Sequence, residues 1–209
     1  VTIQPGDLCQ IWIQTINPTV GISMVDIARA ITADASGIYV AGTDLNKTEW
    51  RIEKRELTTG ALIAAFGTGG VVTSNLSAGA EAYAITADAS GIYIAGWDAV
   101  IGTCQWRIEK RDLTTGALIW TQANDITFQA GLETVYGIAA DASGIYLAGL
   151  ESNDAISKPL QWHIEKRDLN TGALIAGFGT AGVINYAIGG AAGALAITAD
   201  ASGIYVTGS

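Results

Sequence analysis

The sequence predicts an all-β protein assembled from repeated four-stranded antiparallel units. The string Ala-Asp-Ala-Ser-Gly-Ile-Tyr occurs four times, with its acid at Asp34, Asp88, Asp141 and Asp200, spaced by 54, 53 and 59 residues. A second string, Trp-(Arg/His)-Ile-Glu-Lys-Arg-(Glu/Asp)-Leu-(Thr/Asn)-Thr-Gly-Ala-Leu-Ile, begins at Trp50, Trp106 and Trp162, 56 residues apart each time. Between these strings no apolar stripe of helical period runs for a useful length.

The middle unit shows the elements in order. Ala84–Ala87 reads as strand A, and the turn Asp88-Ala89-Ser90-Gly91 leads into strand B, Ile92–Gly96. Asp and Ser side chains bond nearby amides there, and glycine is expected to supply a positive φ. Strand C is Trp106–Arg111: its period-two alternation sends Trp106 and Ile108 to one face and Arg107, Glu109 and Arg111 to the other. The turn Leu113-Thr114-Thr115-Gly116 then opens strand D, Ala117–Trp120.

One such meander cannot cover both of its own faces, so neighbouring units must cover each other. A β-propeller of four-stranded blades does this around an axis, and an open stack of sheets is the other geometry. Ala30–Tyr83, Ala84–Tyr136 and Gly137–Leu195 are three complete units, and Ala196–Ser209 is strands A and B of a fourth. Residues 1–29 are expected to complete it. Ile11-Trp12-Ile13-Gln14 matches Ile119-Trp120-Thr121-Gln122 as strand D, and Val1–Gln4 supplies a shortened strand C. The expectation is a single domain over residues 1–209, with four blades and a closing blade shared by the two chain ends. A fragment of a larger ring, or an arc completed by a second copy, is the alternative.

Phe66-Gly67-Thr68-Gly69-Gly70-Val71-Val72 and Phe178-Gly179-Thr180-Ala181-Gly182-Val183-Ile184 each precede a copy of the Asp-Ala-Ser-Gly segment. Together these motifs resemble the bacterial delta-sixty and SBBP-type β-propeller repeats and, more distantly, NHL-type blades. The resemblance implies a secreted or cell-surface bacterial protein and carries no shared catalytic residues. The chain departs from it in its long connections after strands B and D, and the middle unit lacks the Phe-Gly-x-Gly-Gly turn.

Composition narrows the classes of function. With 11 basic against 20 acidic residues and a net charge of −9, the chain lacks the clustered cations that bind phosphate backbones. Residues 169–199 carry no formal charge, but seven glycines there make a poor membrane helix. The chain opens on Val1 without a basic and apolar leader, as expected after removal of a leader or for a piece of something longer. Cys9 and Cys104 read as ordinary thiols.

The candidate chemistry is sparse. The Asp-Ala-Ser-Gly loops offer one carboxylate each, too few for calcium, and are expected to be structural turns. The Arg-Glu-Arg face of strand C fits an ion-pair ladder between units better than an anion site. His163, the only histidine, replaces Arg51 and Arg107 and is expected to be a strand residue. No catalytic residue, metal site or cofactor is expected.

The B–C connections Thr43–Glu49, Trp97–Gln105 and Leu150–Gln161 vary between units, as do the D–A connections Thr121–Val135 and Ala176–Gly193. Variable loops on a rigid scaffold are the usual place for recognition. Trp97, Asp98, Glu151, Asn153, Asp154 and Lys158 are therefore the candidate ligand-binding residues. The expected role is non-enzymatic binding or scaffolding, with a protein or glycan at that loop face. The alternatives are a carbohydrate-binding or glycan-processing propeller, prompted by Trp97 and the acids, and a structural subunit of a homo-oligomer or filament.

Overall fold

The computed structural model describes residues 27–44, 49–76, 79–100, 103–124, 133–152, 160–187 and 192–209. All regular structure among them is β. The strands are β1 Ile27–Asp34, β2 Gly37–Asp44, β3 Glu49–Arg55, β4 Val71–Asn75, β5 Ala80–Asp88, β6 Gly91–Val100, β7 Thr103–Arg111, β8 Leu118–Asn124, β9 Thr134–Asp141, β10 Gly144–Ser152, β11 Leu160–Arg167, β12 Val183–Tyr186, β13 Ala194–Asp200 and β14 Gly203–Gly208. They form three four-stranded antiparallel meanders, β1–β4, β5–β8 and β9–β12, and a hairpin, β13–β14. The two strands proposed from Val1–Gln4 and Ile11–Gln14, and Cys9, lie outside the described residues.

Each A–B turn is built by its own aspartate. Asp34 Oδ1 accepts from Ser36 N at 2.6 Å, Ser36 Oγ at 2.8 Å and Gly37 N at 3.1 Å, and the Asp88, Asp141 and Asp200 turns repeat the pattern. The expected positive φ is found at Gly144 and Gly203, both 156°, and not at Gly37 or Gly91. Glycine is required there for space: a Cβ would sit 2.8 Å from Arg55 O at Gly37 and 2.9 Å from Arg111 O at Gly91. Left-handed glycines close the C–D turns, at Gly60 (φ 70°), Gly116 (φ 71°) and Gly172 (φ 70°), and recur in the Phe66 and Phe178 turns, as at Gly67 (φ 56°) and Gly179 (φ 54°).

Strand D departs from the expected register in two units. Leu62 and Leu174 make only single bridges to Arg55 and Arg167. The true fourth strands, β4 and β12, follow the Phe66 and Phe178 turns, whereas β8 starts almost at once, at Leu118. The extra turn sets an aromatic ring beside the tyrosine of strand B: Phe66 is 6.2 Å from Tyr39 and Phe178 is 6.1 Å from Tyr146, both edge-on. In the middle unit Trp120 fills that place, 6.2 Å from Tyr93.

The sheets stack head to tail, and period two decides which residues face which neighbour. Tyr39, Ala41, Trp50 and Ile52 of the first sheet are buried against Ala82, Ile85, Ile92 and Ile94 of the second. Tyr93, Ala95, Trp106 and Ile108 on the other face of the second sheet are buried against Val135, Ile138, Ile145 and Leu147 of the third. Ala148 and Ile164 then meet Ala194, with Ile197, Ile204 and Val206 packed around them. The sheets are closest along their first strands, β1 on β5, β5 on β9 and β9 on β13, and contact thins toward the third strands. At the two ends of the stack, Ile31 is 67% exposed and Tyr205 55%, whereas their equivalents inside it are buried.

Candidate functional site

The polar face of each third strand carries a chain of alternating charges. In the first sheet Arg51 pairs with Asp44 at 3.2 Å and Glu53 at 2.7 Å. Glu53 also holds Arg55, whose Nη1 donates to Gly60 O at 2.6 Å. The second sheet repeats this: Arg107 lies 3.6 Å from Asp98 and 2.8 Å from Glu109, Glu109 lies 2.7 Å from Arg111, and Arg111 donates to Gly116 O at 3.0 Å. Gly42 and Gly96 face the first arginines across the B–C ladder. Their smallness has another cause: a Cβ would fall about 2 Å from the carbonyls of Ile27 and Glu81, where the first strand bulges.

The third sheet builds the same chain from different residues. His163 Nδ1 is 2.5 Å from Glu151 and Nε2 is 3.2 Å from Glu165, while Arg167 joins Glu165 at 2.7 Å and Gly172 O at 2.7 Å. The cation has shortened from arginine to histidine, and the acid on strand B has lengthened from aspartate to glutamate. Burial alone would lower the His163 pKa, but hydrogen bonds to Glu151 and Glu165 and their charges push it up to about 9. Burial alone would raise Glu165, but His163 and Arg167 hold it below the ordinary glutamate range. Trp106 of the preceding sheet stands edge-on over the imidazole at 4.7 Å.

These contacts place three of the six candidate binding residues. Asp98 and Glu151 are not loop carboxylates: both are buried in extended B strands and pair with Arg107 and His163. Trp97 is half-buried on β6, opposite Trp106, and its carbonyl accepts from Trp50 Nε1 at 3.3 Å. Strand pairing continues past the glycine of strand B to Val100 and Ser152, so the expected B–C connections shorten to residues 45–48, 101–102 and 153–159. Asn153, Asp154 and Lys158 lie outside the described residues. The charge chain also runs within each sheet rather than between sheets. Among the described residues Ser74 of β4 crosses to the chain of the second sheet, reaching Glu109 at 3.3 Å and Arg111 at 2.7 Å, and apart from the chains Arg29 of β1 pairs with Glu81 of β5 at 2.6 Å.

The link between sheets comes from a residue that alternation alone does not mark. Lys54 and Lys110 lie on the aromatic face of strand C and are buried. Each passes beside its own tyrosine ring, Tyr39 at 5.1 Å and Tyr93 at 5.2 Å. Each then donates to the A–B turn of its own sheet and the C–D turn of the next: Lys54 to Ser36 Oγ at 2.9 Å and Leu113 O at 2.7 Å, Lys110 to Ser90 Oγ and Leu169 O, both at 2.9 Å. Tyr39 adds a hydrogen bond to Leu113 O at 3.2 Å. The Ala-Asp-Ala-Ser-Gly-Ile-Tyr string is thus a socket for the following sheet. Its recurrence with Lys was the available signal.

Among the described residues no group of three or more His, Cys, Asp or Glu side chains is placed to hold a metal ion, and no helix is long and apolar enough to cross a membrane. A shallow cleft along β12, lined by Gly179, Thr180, Val183, Ile184 and Asn185, holds no ionisable side chain. No protein-family profile matches the chain, and no curated protein is significantly similar to it.

Proposed function

We propose that this chain is a non-enzymatic β-propeller-type scaffold, presented on or outside a bacterial cell, that binds a partner through the face where its variable connections emerge. The observation that carries this is the use made of its ionic side chains. His163, Asp98, Glu151 and the strand C arginines are engaged with one another in buried chains. The B–C and D–A connections, which differ in length and content between units, are residues 45–48, 101–102 and 153–159 and residues 76–79, 125–133 and 187–193. Conserved internal wiring with changing connections is how a scaffold keeps its frame while altering what it contacts.

Two features support a ring rather than a straight stack. The sheets approach along their first strands and separate outward, as wedges around an axis do. The last hairpin lacks described third and fourth strands, and residues 1–26 offer a strand D match. Closure buries Ile31 and Tyr205. The glycan reading rested on Trp97 beside free acids. Asp98 and Glu151 are engaged elsewhere, so protein binding is the reading carried forward.

Replacing residues 153–159 and 125–132 with short Gly-Ser linkers tests the binding face. The scaffold is expected to melt within a few degrees of the parent and to lose binding to intact bacterial cells, read by flow cytometry. Unchanged cell binding by a linker variant that still folds would overturn the proposal.

A further inference from the structure

We propose that the outer edge of β14 and the adjoining Phe178 turn of the third sheet form a docking site for a segment of a second polypeptide. That segment has the pattern of strand C, Trp-x-Ile-x-Lys-Arg, followed by a Leu-x-Thr-Gly turn. The site is separate from the variable connections. The argument is the way the three complete sheets hold the same pattern.

Each strand B of a complete sheet pairs with a strand C in one register: Tyr39 opposite Lys54, Tyr93 opposite Lys110 and Tyr146 opposite Lys166. β14 repeats the strand B sequence as Gly-Ile-Tyr-Val-Thr-Gly, and among the described residues it pairs with β13 alone. Its lysine seat is already built. Asp200 Oδ1 accepts from Ser202 N at 2.7 Å and Ser202 Oγ at 2.6 Å, and the Ser202 and Tyr205 hydroxyls lie 2.7 Å apart. In the complete sheets the serine of this seat accepts from lysine Nζ at 2.9 Å, at Ser36, Ser90 and Ser143. A Cβ on Gly37, Gly91 or Gly144 would meet that lysine's Cε within 3.1 Å, whereas one on Gly203 would meet nothing within 4 Å.

The third sheet points to the same occupant independently. Lys54 and Lys110 are buried and donate onward to the first carbonyl of the next C–D turn. Lys166 passes its Tyr146 ring at 5.0 Å and reaches Ser143 Oγ, but among the described residues it goes no further and is only half-buried. Phe66 is fully buried, with Gly116 of the next turn on its ring and Gly67 N donating to Thr115 O at 2.8 Å. Phe178 heads the same left-handed turn, yet it is half-buried and the cleft along Gly179, Val183 and Ile184 opens beside it. Ile184 stands where Val72 touches Gly116 in the first sheet.

One segment satisfies both halves: its lysine lies opposite Tyr205, its turn carbonyl accepts from Lys166, and its glycine rests on Phe178. The pattern occurs three times in this chain, each time already paired within a sheet, and residues 1–26 contain neither a lysine nor a Thr-Gly pair. The occupant lies outside these residues and adds to the sheet edge as a third strand.

A fluorescein-labelled peptide of residues 105–119, titrated with the full chain and read by anisotropy, tests this. Saturable binding is expected, weakened about tenfold by Lys110→Met in the peptide and to a similar degree by Tyr205→Ala or Lys166→Met in the chain. No saturable binding overturns the inference, as does binding indifferent to the peptide's lysine or to both chain variants. Binding that appears only after residues 1–14 are deleted overturns it in favour of the chain's own N-terminal stretch. Sedimentation as a dimer that excludes the peptide overturns it in favour of a second copy.

Discussion

His163 holds its proton between two carboxylates, so part of the protein's stability is tied to that proton. A group whose pKa rises from 6.5 unfolded to about 9 folded stabilises fully below the unfolded value. That contribution falls as pH rises and is gone above the folded value. At about 1.4 kcal/mol per pKa unit the contribution is a few kcal/mol. Thermal melts of the parent and His163→Gln should differ most below about pH 6.5, draw together as pH rises toward 9, and converge by about pH 10. A constant difference across that range would refute the assignment. The His–Glu pair also makes a length argument. His163→Arg crowds Glu151, and Glu151→Asp alone leaves His163 short of its acid. The double change rebuilds the Asp98–Arg107 pair of the second sheet. In urea titrations the two changes are expected to offset each other by about 1–2 kcal/mol relative to their sum. None of this was readable before the register was known. Asp98 and Glu151 follow the strand B glycine by two positions, as Asp44 does, and only the pairing of Gly96 with Arg107 and Gly149 with His163 shows that each faces a cation.

Single elements separate backbone demand from crowding. Gly69 has a left-handed φ of 63° with open space around it, whereas Gly116 combines φ 71° with a ring 3.0 Å from any added Cβ. Gly69→Ala is therefore expected to cost about 1–2 kcal/mol, the price of the conformation alone. Gly116→Ala should cost clearly more, because Phe66 and Val72 must also move. Equal losses in chemical denaturation would mean that the second sheet does not press on the Phe66 turn. Lys110→Met removes two hydrogen bonds and leaves Leu169 O without that donor, an expected loss of about 1–3 kcal/mol. The A–B and C–D turns were legible in the sequence because their chemistry is local: an aspartate bonds the amides two and three residues on. Strands β4 and β12 were not, because the Phe66 and Phe178 turns postpone pairing past an apolar run that itself looks like a strand.

At the scale of the whole molecule, stability is shared between neighbouring sheets. The second sheet is covered on both faces, while the first sheet and the β13–β14 hairpin each have an exposed flank at Ile31 and Tyr205. Amide exchange should be slowest in β6 and β7 and faster in β2 and β14. On the ring proposed above, deleting residues 1–14 is expected to lower the melting temperature markedly, and an unchanged melt would remove that reading. The number of units was legible from the spacing of the Asp and Trp strings. Their mutual arrangement was not, because it depends on Lys54 and Lys110 crossing to a neighbour's carbonyl, a contact with no trace in either string taken alone. Each such lysine bridge has one half in the unit that supplies the lysine and the other in the unit that follows. An in-frame duplication of one whole period therefore brings its own plug and socket. Unequal recombination can change copy number here without redesigning any contact surface.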